Sequence, residues 1–404
     1  MISSEMHQPK KSLLFIIAVL LIFPIPQIAI DLYLPSLPSM VSYFNTTSYY
    51  SLLTLTFYLL SLGIAQLIYG PCSDRWGRKP VLLAGIVIFF IGSIACVMAS
   101  SIEQLIIFRV IQGFGMGCGL VVASAILGDS FTGKPLAKMT TWSSTIFSLS
   151  VLLAPLLGGY LQTVSGWRAN FIFMASGGGI VFLTTLFFIP ETNKQKDASA
   201  LNLYKVIRNY FSIVSNIRFM CYVICLLFGY SLGITFNVVG PFLLQNIFHL
   251  SVMYSGIMLF LTGMAYLAGT LSNNHILNFF TVNTAILIGI MIMLGSAISL
   301  LFSGLAGWFT PLSIMLFTCL SIFGVGFIFP NCFAKGLEFF PEKLGSASAI
   351  ISSAGLVGVS LVGGIVARIS IHSAIALGVA FFIEAVGCLI SYVFIKISYA
   401  SSKA

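Results

Sequence analysis

Apolar runs long enough to cross a bilayer recur along this chain from near its first residue to near its last. A spanning helix needs about 20 apolar residues. Polar, Gly and Pro interruptions divide the 404 residues into twelve such runs: 12–34, 50–70, 80–99, 104–127, 141–163, 168–189, 219–241, 254–273, 281–302, 311–333, 344–367 and 372–396. A dozen spans with short connections leave no room for a catalytic domain, so the expected fold class is an all-α membrane protein with twelve transmembrane helices. Charged side chains make up 7% of the chain, against about a quarter in soluble domains. That excludes a soluble enzyme, a nucleic-acid-binding protein and a disordered scaffold. The first run follows Lys10 and Lys11, as a signal peptide would, but it is too long and no small-residue cleavage site follows.

The net charge of +9 reports orientation. With twelve spans both termini share one side. If that side is the cytoplasm, all Lys and Arg residues except Arg168 and Arg368 outside, and Arg109 within a span, fall in cytoplasmic segments. Such a bias places both termini in the cytoplasm, in a multi-pass protein of a bacterial inner membrane. The longest polar stretch, 190–218, then separates a first six-helix half (1–189) from a second (219–404). Two such halves around a midplane site are the arrangement expected of a transporter.

Several ingredients of chemistry are missing. The eight cysteines have no CxxC pair and no histidine cluster nearby, so they are read as small core hydrophobes, with no metal. Cys221 and Cys225, one helical turn apart, are the nearest to a ligand pair. His7 lies in the tail, and His249, His275 and His372 in loops. No GxxxxGK[ST] loop occurs, so ATP is not the evident energy source.

Charges inside the spans cost at least ~2.5 kcal/mol each and mark functional candidates. Asp31 lies near the outer end of the first span, with Gln27 one turn earlier and Pro35 and Pro38 expected to end the helix. An acid in a closable cavity holds a proton when desolvated and releases it when water enters. Arg109, with Gln112 one turn on, stays charged and so polarises the cavity rather than carrying the proton. Glu384, in the last span, is read as protonated or locally paired. Gly113 and its neighbours at 115, 117 and 119 permit close helix approach, and Pro155-x-x-Gly158-Gly159 a kinked, tightly packed pivot. Gln27, Tyr33, Tyr58, Gln112, Phe236, Asn237 and Asn331, with Gln66, are candidates to line a mostly aromatic substrate cavity with a few amides.

Between spans 2 and 3 stands Gly70-Pro71-Cys72-Ser73-Asp74-Arg75-Trp76-Gly77-Arg78-Lys79-Pro80. A basic turn explains the Arg and Lys residues but not the aspartate or the spacing. Asp74 accepting from a neighbouring helix N-terminus, with Arg78 pairing with a carboxylate elsewhere, would clamp the two halves on one face.

This segment resembles the G-x-x-x-D-R-x-G-R-K-x signature of the major facilitator superfamily. Leu105-x-x-x-Arg109-x-x-Gln112-Gly113 is similar to its arginine motif, and Ala154-Pro155-x-x-Gly158-Gly159 to its antiporter motif, with Ala154 where glycine is usual. Pro190-Glu191-Thr192 is similar to a segment of drug exporters, and Asp31-Leu32-Tyr33-Leu34-Pro35-Ser36-Leu37-Pro38 and Phe329-Pro330-Asn331 followed by Gly345-Ser346-Ala347-Ser348-Ala349 narrow the resemblance to the Bcr/CflA drug-resistance subfamily. The resemblance implies an antiporter that exports small amphipathic compounds in exchange for protons, with no cofactor and the proton gradient as its energy source. It implies that Asp31 and Arg109 couple protons to transport, and that Asp74, Arg78 and Asp129 form a conformational lock. The expected partners are a small-molecule substrate, protons and the lipid bilayer, with no nucleic acid and a monomeric state. Two features depart from the family pattern: the 272–280 loop lacks basic residues, and Phe23 replaces a second acid that some drug exporters carry. A dedicated exporter of one endogenous metabolite, such as a siderophore, and a proton-symport importer stand as alternatives.

Overall fold

The structure, a computed structural model, describes residues 12–368 and 374–400. His7, Lys10, Lys11, His372 and Lys403 lie outside the described residues. Among those described, twelve helical segments are long and apolar enough to cross a membrane, and no strand occurs.

Prolines shape the first span. Ser12 caps α1 (Leu13–Leu20), Pro24 and Pro26 interrupt the ladder, and α2 (Ile25–Asp31) follows. Pro35 and Pro38 do not end the span at residue 34 as expected. They fall in the first turns of a 3-10 segment, Leu34–Ser36, and of α3 (Leu37–Tyr43), where a missing N–H removes no intrahelical bond. The span is therefore a broken helix running from 13 to 43. Broken helices in a membrane leave carbonyls free for other partners.

The turn after span 2 is also shorter than expected. Gly70 and Pro71 remain inside α4 (Ser48–Trp76), and α5 (Arg78–Met98) starts after one residue, Gly77, whose φ of 109° favours glycine. The remaining elements are α6 (Ile102–Ser130), α7 (Gly133–Ser165), α8 (Arg168–Phe188), α9 (Leu203–Val214), α10 (Ile217–Phe242), α11 (Val252–Ile276), α12 (Val282–Leu305), α13 (Pro311–Leu337), α14 (Leu344–Arg368) and α15 (Ala374–Ala400). Residues 133–140, expected in a loop, begin α7, so Lys134 and Lys138 sit on its first turns. Helix α9, not anticipated in the polar linker, is capped by the Asn202 side chain on the Lys205 amide.

In lipid, helices associate through close backbone approach rather than hydrophobic burial, and glycines set the contacts here. A Cβ at Gly113 would lie 2.3 Å from Ser61 Oγ, joining α6 to α4. One at Gly289 would lie 2.6 Å from the Gly324 carbonyl, joining α12 to α13. The first six spans meet the last six chiefly through α4 with α14 and α7 with α11. Several of these contacts lie at the end away from the Gly77 turn. Gln245 Nε2 donates to the Pro35 carbonyl at 2.8 Å and Arg368 Nε to the Tyr49 hydroxyl at 3.3 Å. The Pro155 carbonyl lies 2.8 Å from where a Gly256 Cβ would stand.

Candidate functional site

Arg109 occupies the interior of the first six spans and is 0% exposed, so it does not snorkel to a boundary. Its Nη2 donates to the Ala29 carbonyl at 3.0 Å, its Nε to the Thr54 carbonyl at 3.4 Å, and its Nη1 to Gln112 Oε1. Ala29 lies in the last turn of α2, where carbonyls lack intrahelical partners. The guanidinium also lies over the Tyr33 ring at 4.4 Å and the Tyr58 ring at 4.1 Å, an arrangement that stabilises a desolvated cation. Gln112 is oriented in turn, because its Nε2 donates to Ser93 Oγ at 2.8 Å. Tyr58 donates to the Pro26 carbonyl at 3.0 Å, and the Tyr33 and Thr54 hydroxyls are 3.2 Å apart. One arginine thus ties the broken first span to α4 and α6.

Asp31 is 3% exposed and accepts from Gln27 Nε2 at 2.6 Å. Asp31 and Arg109 form no ion pair with each other in this conformation. Gln27, four residues back on the same helix face, takes the carboxylate, and the arginine fork takes the bare carbonyl two residues before it. Among the described residues, no carboxylate forms an ion pair with Arg109. Behind Asp31, a Cβ on Gly158 would lie 1.5 Å from the Leu32 carbonyl oxygen. The adjacent Gly159 faces the other way, 3.2 Å from the Val252 carbonyl and 3.4 Å from Gly256 Cα of α11 by the same measure. Neighbouring glycines of α7 therefore touch the Asp31 segment on one side and the second half on the other.

The residues expected to line one cavity divide into two groups. Gln27, Tyr33, Tyr58 and Gln112 belong to the polar cluster around Asp31 and Arg109. Phe236, Asn237 and Asn331 lie in the second half. Phe236 is fully buried with its ring against Gly240, and Asn237 is half-buried on the same helix. Asn331 donates to Asn273 Oδ1 at 2.7 Å and to the Phe327 carbonyl at 2.8 Å. Gln66 is buried with neither amide atom bonded, an arrangement that costs about 1–3 kcal/mol unless a ligand fills it. Thr54, Ser93 and Asn273 were not singled out, since one hydroxyl or amide in an apolar run gives no sequence signal.

Elsewhere in the second half, Glu384 Oε1 accepts from Thr235 Oγ1 at 2.5 Å while Oε2 has no partner among the described residues. Cys225 and Cys388 each direct a thiol at the other's carbonyl, at 3.8 and 3.3 Å. Among the described residues all cysteines are free, and no group of three or more His, Cys, Asp or Glu could hold a metal.

At the Gly77 turn, Arg78 Nη1 meets Asp74 Oδ1 at 2.5 Å and its Nε meets Asp129 Oδ2 at 3.0 Å. Glu191, which the sequence offered only as part of a family signature, accepts from the Arg78 amide at 2.9 Å and the Lys79 amide at 3.3 Å. It is the anion at the α5 N-terminus, the place expected for Asp74's interaction. Thr192 donates to Asp129 Oδ2 at 3.1 Å and Asn193 Nδ2 to the Asp74 carbonyl at 3.0 Å. These contacts join α4, α5, α6 and the linker. Among the described residues, no hydrogen bond or ion pair of Asp74, Arg78 or Asp129 reaches the second half in this conformation.

The sequence model of the Major Facilitator Superfamily matches residues 19–363. Over 377 residues the chain is 25% identical to a bicyclomycin resistance protein homolog of Haemophilus influenzae, covering 91% of this chain and 92% of that protein. It is 29% identical over 344 residues to multidrug resistance protein D of Escherichia coli, covering 83% and 84% of the two chains. In fold it is similar to a D-xylose-proton symporter (TM-score 0.72, 18% identity, 95% of this chain and 97% of that one). The human organic anion transporter MFSD10 is also similar (TM-score 0.68, 16% identity, 95% and 99%). With a family match spanning most of its length and relatives matched nearly end to end, this twelve-helix chain belongs to the Major Facilitator Superfamily, as a membrane transporter and not an enzyme.

Proposed function

We propose that the protein exports small amphipathic compounds from the cytoplasm in exchange for protons. In this reading the Gly77 end is cytoplasmic, because the chain's Lys and Arg residues concentrate there. The names of the relatives, bicyclomycin and multidrug resistance, support drugs as the substrate class. The observation that carries the coupling is a buried carboxylate on the broken first span and a buried guanidinium of α6 bonded to that same span, each held by neutral partners and not by the other.

Arg109 keeps its charge throughout, and in a low-dielectric interior it favours the ionised form of a nearby acid. A proton arriving on Asp31 removes that attraction and releases the α2 segment from Arg109. The motion passes to Leu32, then through Gly158 and Gly159 of α7 to α11, and so changes how the halves meet. Release of the proton on the other side reverses it. Because Phe23 stands where a second acid would help bind cations, the substrates are neutral or weakly polar compounds. Gln66 and the Asn273–Asn331 pair are candidate contacts for them. The active unit is a monomer.

Growth of an exporter-deficient host producing the protein tests the substrate reading. Protection against several unrelated neutral drugs, with little against quaternary ammonium compounds, is the expected pattern. Protection against none, together with secretion of one cell product, would replace it with the dedicated metabolite exporter.

The ionic cluster at the Gly77 end is a conformational lock in this account. Its Asp74 side chain is half-exposed, so Arg78→Gln should cost about 1 kcal/mol of bias, near fivefold in the balance of states. Turnover should fall several-fold with substrate affinity unchanged, checked by initial efflux rates beside equilibrium binding. A matching loss of affinity would place the cluster in the substrate site instead.

A further inference from the structure

The linker helix α9 has three faces, and one of them has no protein partner. On the side toward the helix bundle, Ile213 is buried and Tyr210 donates its hydroxyl to the Leu67 carbonyl of α4 at 3.0 Å. The polar side carries Lys205, Arg208, Asn209 and Ser212. Lys343, just before α14, reaches Asn209 at 3.5 Å and Ser212 at 3.3 Å. On the third side, Leu203, Tyr204, Ile207, Phe211 and Val214 are each between 44% and 72% exposed. At 3.6 residues per turn these five fall within an arc of about 100°, a continuous apolar stripe flanked by Arg208.

Two further observations say what covers it. The stripe is level with other outward-facing apolar side chains at the same end of the bundle: Ile68 of α4, beside the Leu67 that anchors α9, and Ile217, just past the end of α9. The flanking Arg208 is also free to act. Arg208 forms no hydrogen bond or ion pair among the described residues, and Lys205 Nζ meets only the Ser199 hydroxyl at 3.2 Å. Asp197 accepts from the Ser199 amide, and the hydrogen bonds from Ser199, with the Lys205 charge adding to them, hold its carboxyl below the usual range. An apolar stripe beside lipid-facing residues, rimmed by basic side chains of which Arg208 has no protein partner among the described residues, is the pattern of a helix lying in a bilayer interface.

The geometry points to α9 as a lipid-binding element, with its apolar stripe in the acyl-chain boundary and Lys205 and Arg208 on anionic lipid headgroups. Each basic side chain near such a surface strengthens association about fivefold. Because α9 is also held to α4 through Leu67 and to the turn before α14 through Lys343, bound lipid would rest directly against the seam where the halves meet. This inference needs only the membrane fold and is independent of the transport direction and substrate proposed above.

The test uses the full-length protein in vesicles of phosphatidylcholine and phosphatidylglycerol, with Phe211→Trp as reporter and the wild type subtracted to remove the native tryptophans. The added emission should be quenched at least about twofold by lipids brominated on the acyl chain and little by aqueous iodide, as burial of an interfacial apolar face requires. Quenching should weaken in pure phosphatidylcholine and in the Lys205→Gln/Arg208→Gln double variant. Tyr204→Trp, on the same stripe, serves if Phe211→Trp does not assemble. Quenching by iodide alone would show a solvated helix. Protection from both quenchers would put a protein surface on the stripe. Equal bromine quenching with and without anionic lipid would remove the headgroup contact. Each of those three results would overturn the proposal.

Discussion

Arg109→Lys should lower transport by at least about tenfold although it keeps the charge, because a lysine is not an arginine where a fork is required. The guanidinium fills three acceptors on three elements: the Ala29 carbonyl near the end of α2, the Thr54 carbonyl in α4 and Gln112 Oε1 in α6. An ammonium at the end of a shorter-reaching, non-planar donor cannot serve all three. Each buried acceptor left empty costs about 1–3 kcal/mol. The face-on placement over Tyr33 and Tyr58 is weakened as well. Thermal midpoints in detergent should fall for Arg109→Lys and further for Arg109→Ala, with substrate-driven efflux lost in both. Wild-type efflux from Arg109→Lys would mean that charge alone matters there and that the fixed geometry of the first span does not.

The second large effect is expected at Gly158. Its missing side chain leaves room for the Leu32 carbonyl, and an added Cβ would start 1.5 Å from that oxygen. No rotamer relieves a clash between a Cβ and backbone, so the turn after Asp31 would have to move. Overpacking of this kind costs about 1–3 kcal/mol or more, and here the displaced atoms belong to the coupling segment. Gly158→Ala should therefore reduce efflux about tenfold or more at unchanged membrane insertion, a loss of that size corresponding to the lower half of the range. Gly159→Ala, with 3.2 Å to the Val252 carbonyl, should fall between that and the wild type. Gly128→Ala, which meets nothing within 4 Å, should behave as wild type. Efflux rates normalised to membrane protein give the order. Any order other than Gly128, Gly159, Gly158 would count against close packing as the role of the motif.

The twelve spans were legible because bilayer thickness fixes a length that sequence displays directly. Their ends were less so. Pro35, Pro38 and Pro71 look like breaks, but Pro35 and Pro38 fall in first turns, where no N–H is needed, and Pro71 is carried inside α4, where the Leu67 carbonyl one turn earlier accepts from Tyr210 instead. Helix α9 was hidden in a stretch read as polar, although Leu203, Ile207, Phe211 and Val214 recur at helical spacing; counting charges masked the period. At the candidate site, single ionisable residues in apolar runs identified Asp31 and Arg109 as the places to look. Their partners were not legible, because a carbonyl such as Ala29 has no residue identity to read and a hydroxyl such as Ser93 resembles dozens of others. The carboxylate of Asp31 is taken instead by Gln27, which lies one turn from the acid on the same helix.

The central claim is that Asp31 carries the proton that drives export. Proton movement in everted vesicles, followed with a pH-sensitive dye as an exported compound is added, tests it most directly when wild type and Asp31→Asn are run side by side. The account predicts a substrate-induced proton release in the wild type and none in Asp31→Asn, with substrate still bound by the variant. Substrate-induced proton movement of the same size and pH dependence in Asp31→Asn would contradict it.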